Sequence, residues 1–242
     1  MIPAMSRIML AAFLCLALSA APAAAAERRY TVTDFDRIEV SGPFVVAVAT
    51  GRGSSALASG ANGALDRLSI DVQGKTLRVR PNRSAWGGYP GEASGPLKIV
   101  LTTQSLRGAS VSGSGSLTID KAKAMRFDAA VSGTGNISLG LVEADMLAVG
   151  LLGSGSVKMA GKAKSLRATI QGSGSFDGEA LLVEDAQINS DTAGQIGASV
   201  RRAATVTSTG TGDTRIFGSP ACTVKQVGAG QVFCGKSDQR QR

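Results

Sequence analysis

A Gly-x-Gly triplet recurs through the second half of the chain, and its spacing constrains the fold more than any other feature. It stands as Gly113-Ser114-Gly115, Gly133-Thr134-Gly135, Gly153-Ser154-Gly155, Gly172-Ser173-Gly174, Gly210-Thr211-Gly212 and Gly228-Ala229-Gly230. The steps are 20, 20, 19, 38 and 18 residues. The long step reads as two periods of 19, whose midpoint falls on Asp191-Thr192-Ala193, a degenerate copy. Seven units then cover residues 105–236. A period this short marks a repeat that cannot bury its apolar face alone and must stack on its neighbours.

Residues around each triplet alternate with period two, as in a strand with one buried face. Phe127, Ala129, Val131, Gly133, Gly135, Ile137 and Leu139 share one parity, as do Leu166, Ala168, Ile170, Gly172, Gly174 and Phe176. The parity runs through the triplet, so both glycines are expected to face inward and the central Ser or Thr outward. A glycine inside a strand costs about 0.5–1 kcal/mol relative to alanine. Repeating that choice makes sense where a β-carbon would collide with the backbone or where φ is positive, so the triplet is expected to mark a corner.

Two stacked architectures fit: a parallel β-solenoid with one unit per coil, and an antiparallel meander with a hairpin at each triplet. Charge favours the solenoid. The segments between triplets carry Lys121, Lys123 and Arg126, then Glu143 and Asp145, then Lys162, Lys164 and Arg167, then Glu184 and Asp185, then Arg201 and Arg202. Their sign alternates unit by unit, which sets opposite charges side by side in adjacent coils. Residues 27–104 are strand-like with looser spacing. Leu68, Ile70 and Val72 lead through Gln73-Gly74-Lys75 to Leu77 and Val79, a hairpin pattern. No long segment has a 3.6-residue apolar period, so the chain reads as all-β.

Residues 1–26 have the form of a secretory signal peptide, with Arg7, an apolar run from Ile8 to Ala20, and Ala24-Ala25-Ala26 before the cut. The apolar run is too short to span a bilayer, and no later stretch is long enough. The expected product is exported, to the periplasm, the cell surface or the medium. Residues 27–104 form an N-terminal β segment continuous with the repeats, and residues 237–242 a polar tail. The mature chain would carry a net charge of +7 and two cysteines, Cys222 and Cys234. In an oxidising compartment that pair reads as one disulfide clamping the last coil, with two buried thiols as the alternative.

Phe35-Asp36-Arg37-Ile38-Glu39-Val40-Ser41-Gly42-Pro43-Phe44-Val45-Val46, followed by the Leu68–Val79 hairpin and the serial Ser-Gly-Ser-Gly units, resembles the head GIN domain family of auto-transporter adhesins. The likeness covers nearly all of the mature chain. It implies an exported bacterial protein with a right-handed parallel β-helix of about 18–20 residues per coil and an adhesion role, without a recognised catalytic constellation.

Little in the chain points to chemistry. With no histidine, the catalytic triads and most general acid–base schemes at neutral pH are removed, and so are most metal sites. No zinc ligand set exists, no triplet forms a phosphate loop, and only Gly210-Thr211-Gly212-Asp213 hints at a calcium repeat. No catalytic residue, metal or cofactor is therefore expected. A carbohydrate-active lyase or hydrolase on the same scaffold stays as an alternative, favoured if three or more acids gather in one small cleft. A purely structural protein that self-associates through its coil ends is another. Basic residues lack interleaved aromatics and alternate with acids, which argues against nucleic acid as a partner.

Two candidate binding features remain. Ser114, Thr134, Ser154, Ser173, Thr192 and Thr211 would stack as an outward hydroxyl ladder, with Ser116, Asn136, Ser156 and Ser175 beside it. Such a strip could bind glycans or another envelope component; equally, small polar residues suit a tight solvated corner. The segment Arg80–Pro90 holds the single tryptophan, Trp86, with Tyr89. Those rings could stack on a sugar, or the segment could be an insertion or end cap.

Overall fold

The computed structural model describes residues 26–82 and 97–235. The repeat units form five long strands: β9 (Ser116–Gly133), β10 (Asn136–Gly153), β11 (Ser156–Gly172), β12 (Ser175–Thr192) and β13 (Ile196–Ser208). Each pairs in parallel with the next, in the register the repeat demands: Ile137 beside Val157, Leu147 beside Leu166, Gly153 beside Gly172. The result is a β-solenoid of about 6 turns.

A straight strand of 18 residues would reach roughly 60 Å, so each one must bend. Burial alternates along β10 until Leu139, after which Gly140 and Leu141 both face outward and Val142 resumes the interior. A second break follows, with Met146 outward and Leu147 buried again. These two parity breaks and the triplet give each coil three corners. Inside, like stacks on like: Leu117, Ile137, Val157, Phe176 and Ile196 form one buried column, each at most 1% exposed.

The N-terminal strands join the same stack out of chain order. β2 (Arg37–Ser41) lies in parallel on β8 (Gly108–Gly113), and β3 (Val45–Thr50) on the start of β9. β6 (Thr76–Pro81) and β7 (Lys98–Thr103) form a further rung outside β2 and β3. Antiparallel strands then close this end: β5 (Leu68–Gln73) on β6, β4 (Ser55–Gly60) on β7, and β1 (Ala26–Tyr30) on β4. The hairpin between β5 and β6 turns where Gly74 has φ +64°. A short helix, α1 (Asn62–Asp66), buries Ala64 and Leu65 against them.

At the other end, β14 (Thr214–Gly218) and β15 (Ala221–Gln226) cover β13, and β16 (Val232–Cys234) covers β14. Every residue of β15 is exposed. Among the described residues no helix is long and apolar enough to cross a membrane.

Candidate binding face

The two glycines of the first four triplets differ in conformation. The first sits at the surface with positive φ, +115° at Gly153 and +108° at Gly172, a region that favours glycine, whereas Gly210 and Gly228 lack positive φ and Gly210 is buried. The second is buried and close to the coil beneath: a β-carbon on Gly174 would lie 2.6 Å from the Gly155 carbonyl oxygen. The expectation that both glycines face inward therefore holds for the second glycine of every triplet but, at the first position, only for Gly210. The first turns the chain in the first four triplets, and from Gly133 onward both let the coils approach, since a β-carbon on Gly153 would lie 2.5 Å from Gly133 O.

Between them the hydroxyl residues point out. Ser114, Thr134, Ser154, Ser173 and Thr211 are all exposed. Backbone bonds hold them over one another, with Ser154 N–H donating to Gly133 O (2.9 Å) and Ser173 N–H to Gly153 O (2.9 Å). The Ser173 hydroxyl donates to Ser154 Oγ at 3.1 Å. In the neighbouring row the Ser156 hydroxyl donates to Asn136 Oδ1 at 2.8 Å.

Thr192 does not belong to this row. It pairs with Gly172, the first glycine of its neighbour, and is 1% exposed. Its hydroxyl donates to Gly174 O (2.8 Å) and accepts from Gly194 N–H (3.0 Å). The outward place on this coil falls to Ala193, whose N–H donates to Gly172 O. The 38-residue gap divides as 20 and then 18, not as two equal periods, so the degenerate copy is Thr192-Ala193-Gly194. Trp86 and Tyr89 lie outside the described residues.

Cys222 and Cys234 form a disulfide that links β15 to β16, with Cα atoms 6.5 Å apart. Cys222 lies beside the buried Ala204 but is itself exposed, because among the described residues β15 has a coil on one side only.

A second surface feature was written in the charge alternation but not read as a site. Ala124, Ala144, Ala163 and Val183 stack in register and form the apolar floor of an open groove of about 520 Å³. Ion pairs flank it. Glu143 lies between Lys123 (3.3 Å) and Lys162 (3.2 Å), and Asp145 meets Lys164 at 2.8 Å. Met125 at 79% exposure and Leu182 at 41% stand at its ends.

The groove also gathers three acids, Glu143, Asp145 and Glu184, and by number alone this favours the enzyme alternative. The protonation of Glu143 argues the other way. Hydrogen bonds from Lys162 and Lys123 hold the Glu143 carboxyl below its ordinary value, and a general acid needs its pKa raised. Among the described residues no group of three or more His, Cys, Asp or Glu could hold a metal ion.

The family model described as "Putative auto-transporter adhesin, head GIN domain" matches residues 34–220, from just before β2 to just before β15. The chain belongs to this head GIN family. Solved structures share the fold. A "putative adhesin" from Bacteroides fragilis superposes with a TM-score of 0.80 at 20% identity, covering 88% of this chain and 97% of that one. A "putative lipid binding protein" from Parabacteroides distasonis gives 0.68 at 20% identity, covering 87% and 97%. A "putative adhesin" from Parabacteroides merdae gives 0.60 at 17%, covering 89% and 98%. No curated protein matches the sequence. At these identities the neighbours establish the solenoid, and head GIN membership carries an adhesin name.

Proposed function

We propose that this head GIN protein is an exported, non-enzymatic binding module that presents its triplet corner to glycans of the bacterial cell envelope. The observation that supports this most is the run Ser114, Thr134, Ser154 and Ser173: four exposed hydroxyls on four successive coils, about 4.8 Å apart. A regular, uncharged row of donors and acceptors suits a repeating polyol. The lysine pairing of Glu143 and Asp145 supports the non-enzymatic part of the reading. A glycan array with residues 27–242 tests it, alongside the same chain with all four residues changed to alanine. Retention of one glycan class by the parent and its loss in the variant, with unchanged thermal melting, is the expected result. Equal binding by both proteins would remove the ladder from the reading. Protease treatment of intact cells separates periplasmic from surface display.

The groove favours a second reading. An alanine floor with exposed Met125 and Leu182 and flanking lysines suits an acyl chain with an anionic head, and one structural neighbour carries a lipid-binding name. Co-sedimentation with anionic vesicles tests this, and a Leu182→Lys variant that sediments as well as the parent would exclude it.

A further inference from the structure

Along most of the solenoid the residue two places before each triplet fills the interior with aliphatic carbon: Val111, Val131, Leu151 and Ile170 are each at most 2% exposed. In the last coils this changes. Ser190 stacks on Ile170, and Ser208 stacks on Ser190. Across the same corner, Thr214 follows Ile196 and Phe176 in register. Ser190 in place of Ile170 and Thr214 in place of Ile196 each exchange a larger apolar side chain for a smaller polar one, and Ser208 repeats the serine, so the corner loses volume and gains hydroxyls together.

Ser190, Ser208 and Thr214 are 2%, 0% and 0% exposed, and none of the three hydroxyl oxygens meets a protein partner. Buried hydroxyls elsewhere in the same fold are bonded. Thr50 donates to Lys121 O, Thr103 to Phe35 O and Thr192 to Gly174 O. Unbonded buried hydroxyls are rare in folded proteins, and ordered water is the common remedy where a site is both polar and roomy.

We propose that the C-terminal corner of the solenoid is a binding site for a short file of ordered water molecules, held by the hydroxyls of Ser190, Ser208 and Thr214. Gln226 pairs with Ser208 and is exposed, so it stands where the file reaches solvent.

A high-resolution crystal structure of the oxidised mature chain tests this directly. Density within about 2.7–3.2 Å of at least two of the three hydroxyls is expected. A corner with no such density, its hydroxyls turned onto backbone carbonyls, would overturn the proposal. So would a density ringed by six or more oxygens at about 2.3–2.6 Å, which is a calcium ion. In solution, magnetic relaxation dispersion counts long-lived waters. A Ser190→Val/Ser208→Val variant should lose at least one of them, and an unchanged count in a folded variant would refute the assignment. If that variant fails to fold, the parent crystal decides alone.

Discussion

Replacing Gly153 by valine probes the triplet corner where positive φ and a close backbone contact coincide. An L residue there must adopt φ +115°, and its β-carbon would lie 2.5 Å from Gly133 O and 3.1 Å from Gly133 C and N. A sparsely populated backbone region costs about 1–3 kcal/mol. Moving the coil away stretches two bonds onto the same carbonyl, from Ser154 N–H at 2.9 Å and Gly155 N–H at 3.0 Å, each worth about 1 kcal/mol. The loss should therefore be about 3–5 kcal/mol. Ser154→Ala removes one exposed hydroxyl bond to Ser173 and should cost no more than roughly 0.5 kcal/mol. Gly150→Ala is the internal control, because a β-carbon there meets nothing within 4 Å. It should be neutral or slightly stabilising. Urea denaturation followed by circular dichroism measures all three, with hydrogen exchange to detect coils that open separately, as stacked repeats can. Similar losses for Gly153→Val and Ser154→Ala would refute the requirement for glycine at the triplet corner.

Reduction of Cys222–Cys234 should remove about 2–3 kcal/mol from the end of the solenoid and accelerate exchange in β15 and β16 before β10; uniform acceleration along the stack would contradict the clamp. Glu143 should titrate below the ordinary glutamate value, since Lys162 and Lys123 stabilise its charged form. Its folded pKa is depressed, so the associated stability is complete above the unfolded value and is lost as pH falls through the folded one. Glu143→Gln should accordingly flatten the dependence of stability on pH in the acid range below pH 4.5, and a carboxyl resonance titrating at or above that value would refute the assigned pairing. Asp177, held low by a hydrogen bond from Lys158, should behave in the same direction.

The solenoid could be read from sequence because one corner repeats with both a spacing and a residue type. The other two corners were present only as lapses in alternation, Gly140-Leu141 before Val142 being the clearest, and a lapse carries no residue signature. Thr192 was misplaced for a related reason. A period of 19 divides the long gap evenly, whereas the coil from Gly172 to Thr192 takes 20 residues and the next takes 18. The N-terminal stacking order was hidden because β6 and β7 follow β2 and β3 in the chain but lie outside them in space. The inward serines were concealed by their neighbours. Thr205, Thr207 and Thr209 alternate with Val206 and Ser208, so residue type does not separate inside from outside there.

The groove's ion pairs are better understood as setting register than as adding stability. All are at the surface, with lysine side chains 70–85% exposed, where a single pair contributes little. Their order is what matters. Near-identical coils bury similar faces, so apolar packing alone distinguishes poorly between a coil stacked on its neighbour and one stacked two units away. The charges do distinguish them. Adjacent coils set Glu143 against Lys123 and Lys162, while a skipped coil would set Lys123 against Lys162 and Asp145 against Glu184 or Asp185. Like charges side by side penalise the wrong stack. The triplet corner carries no such charges and so plays no part in that selection, which leaves its hydroxyl row free to be shaped by whatever it meets outside.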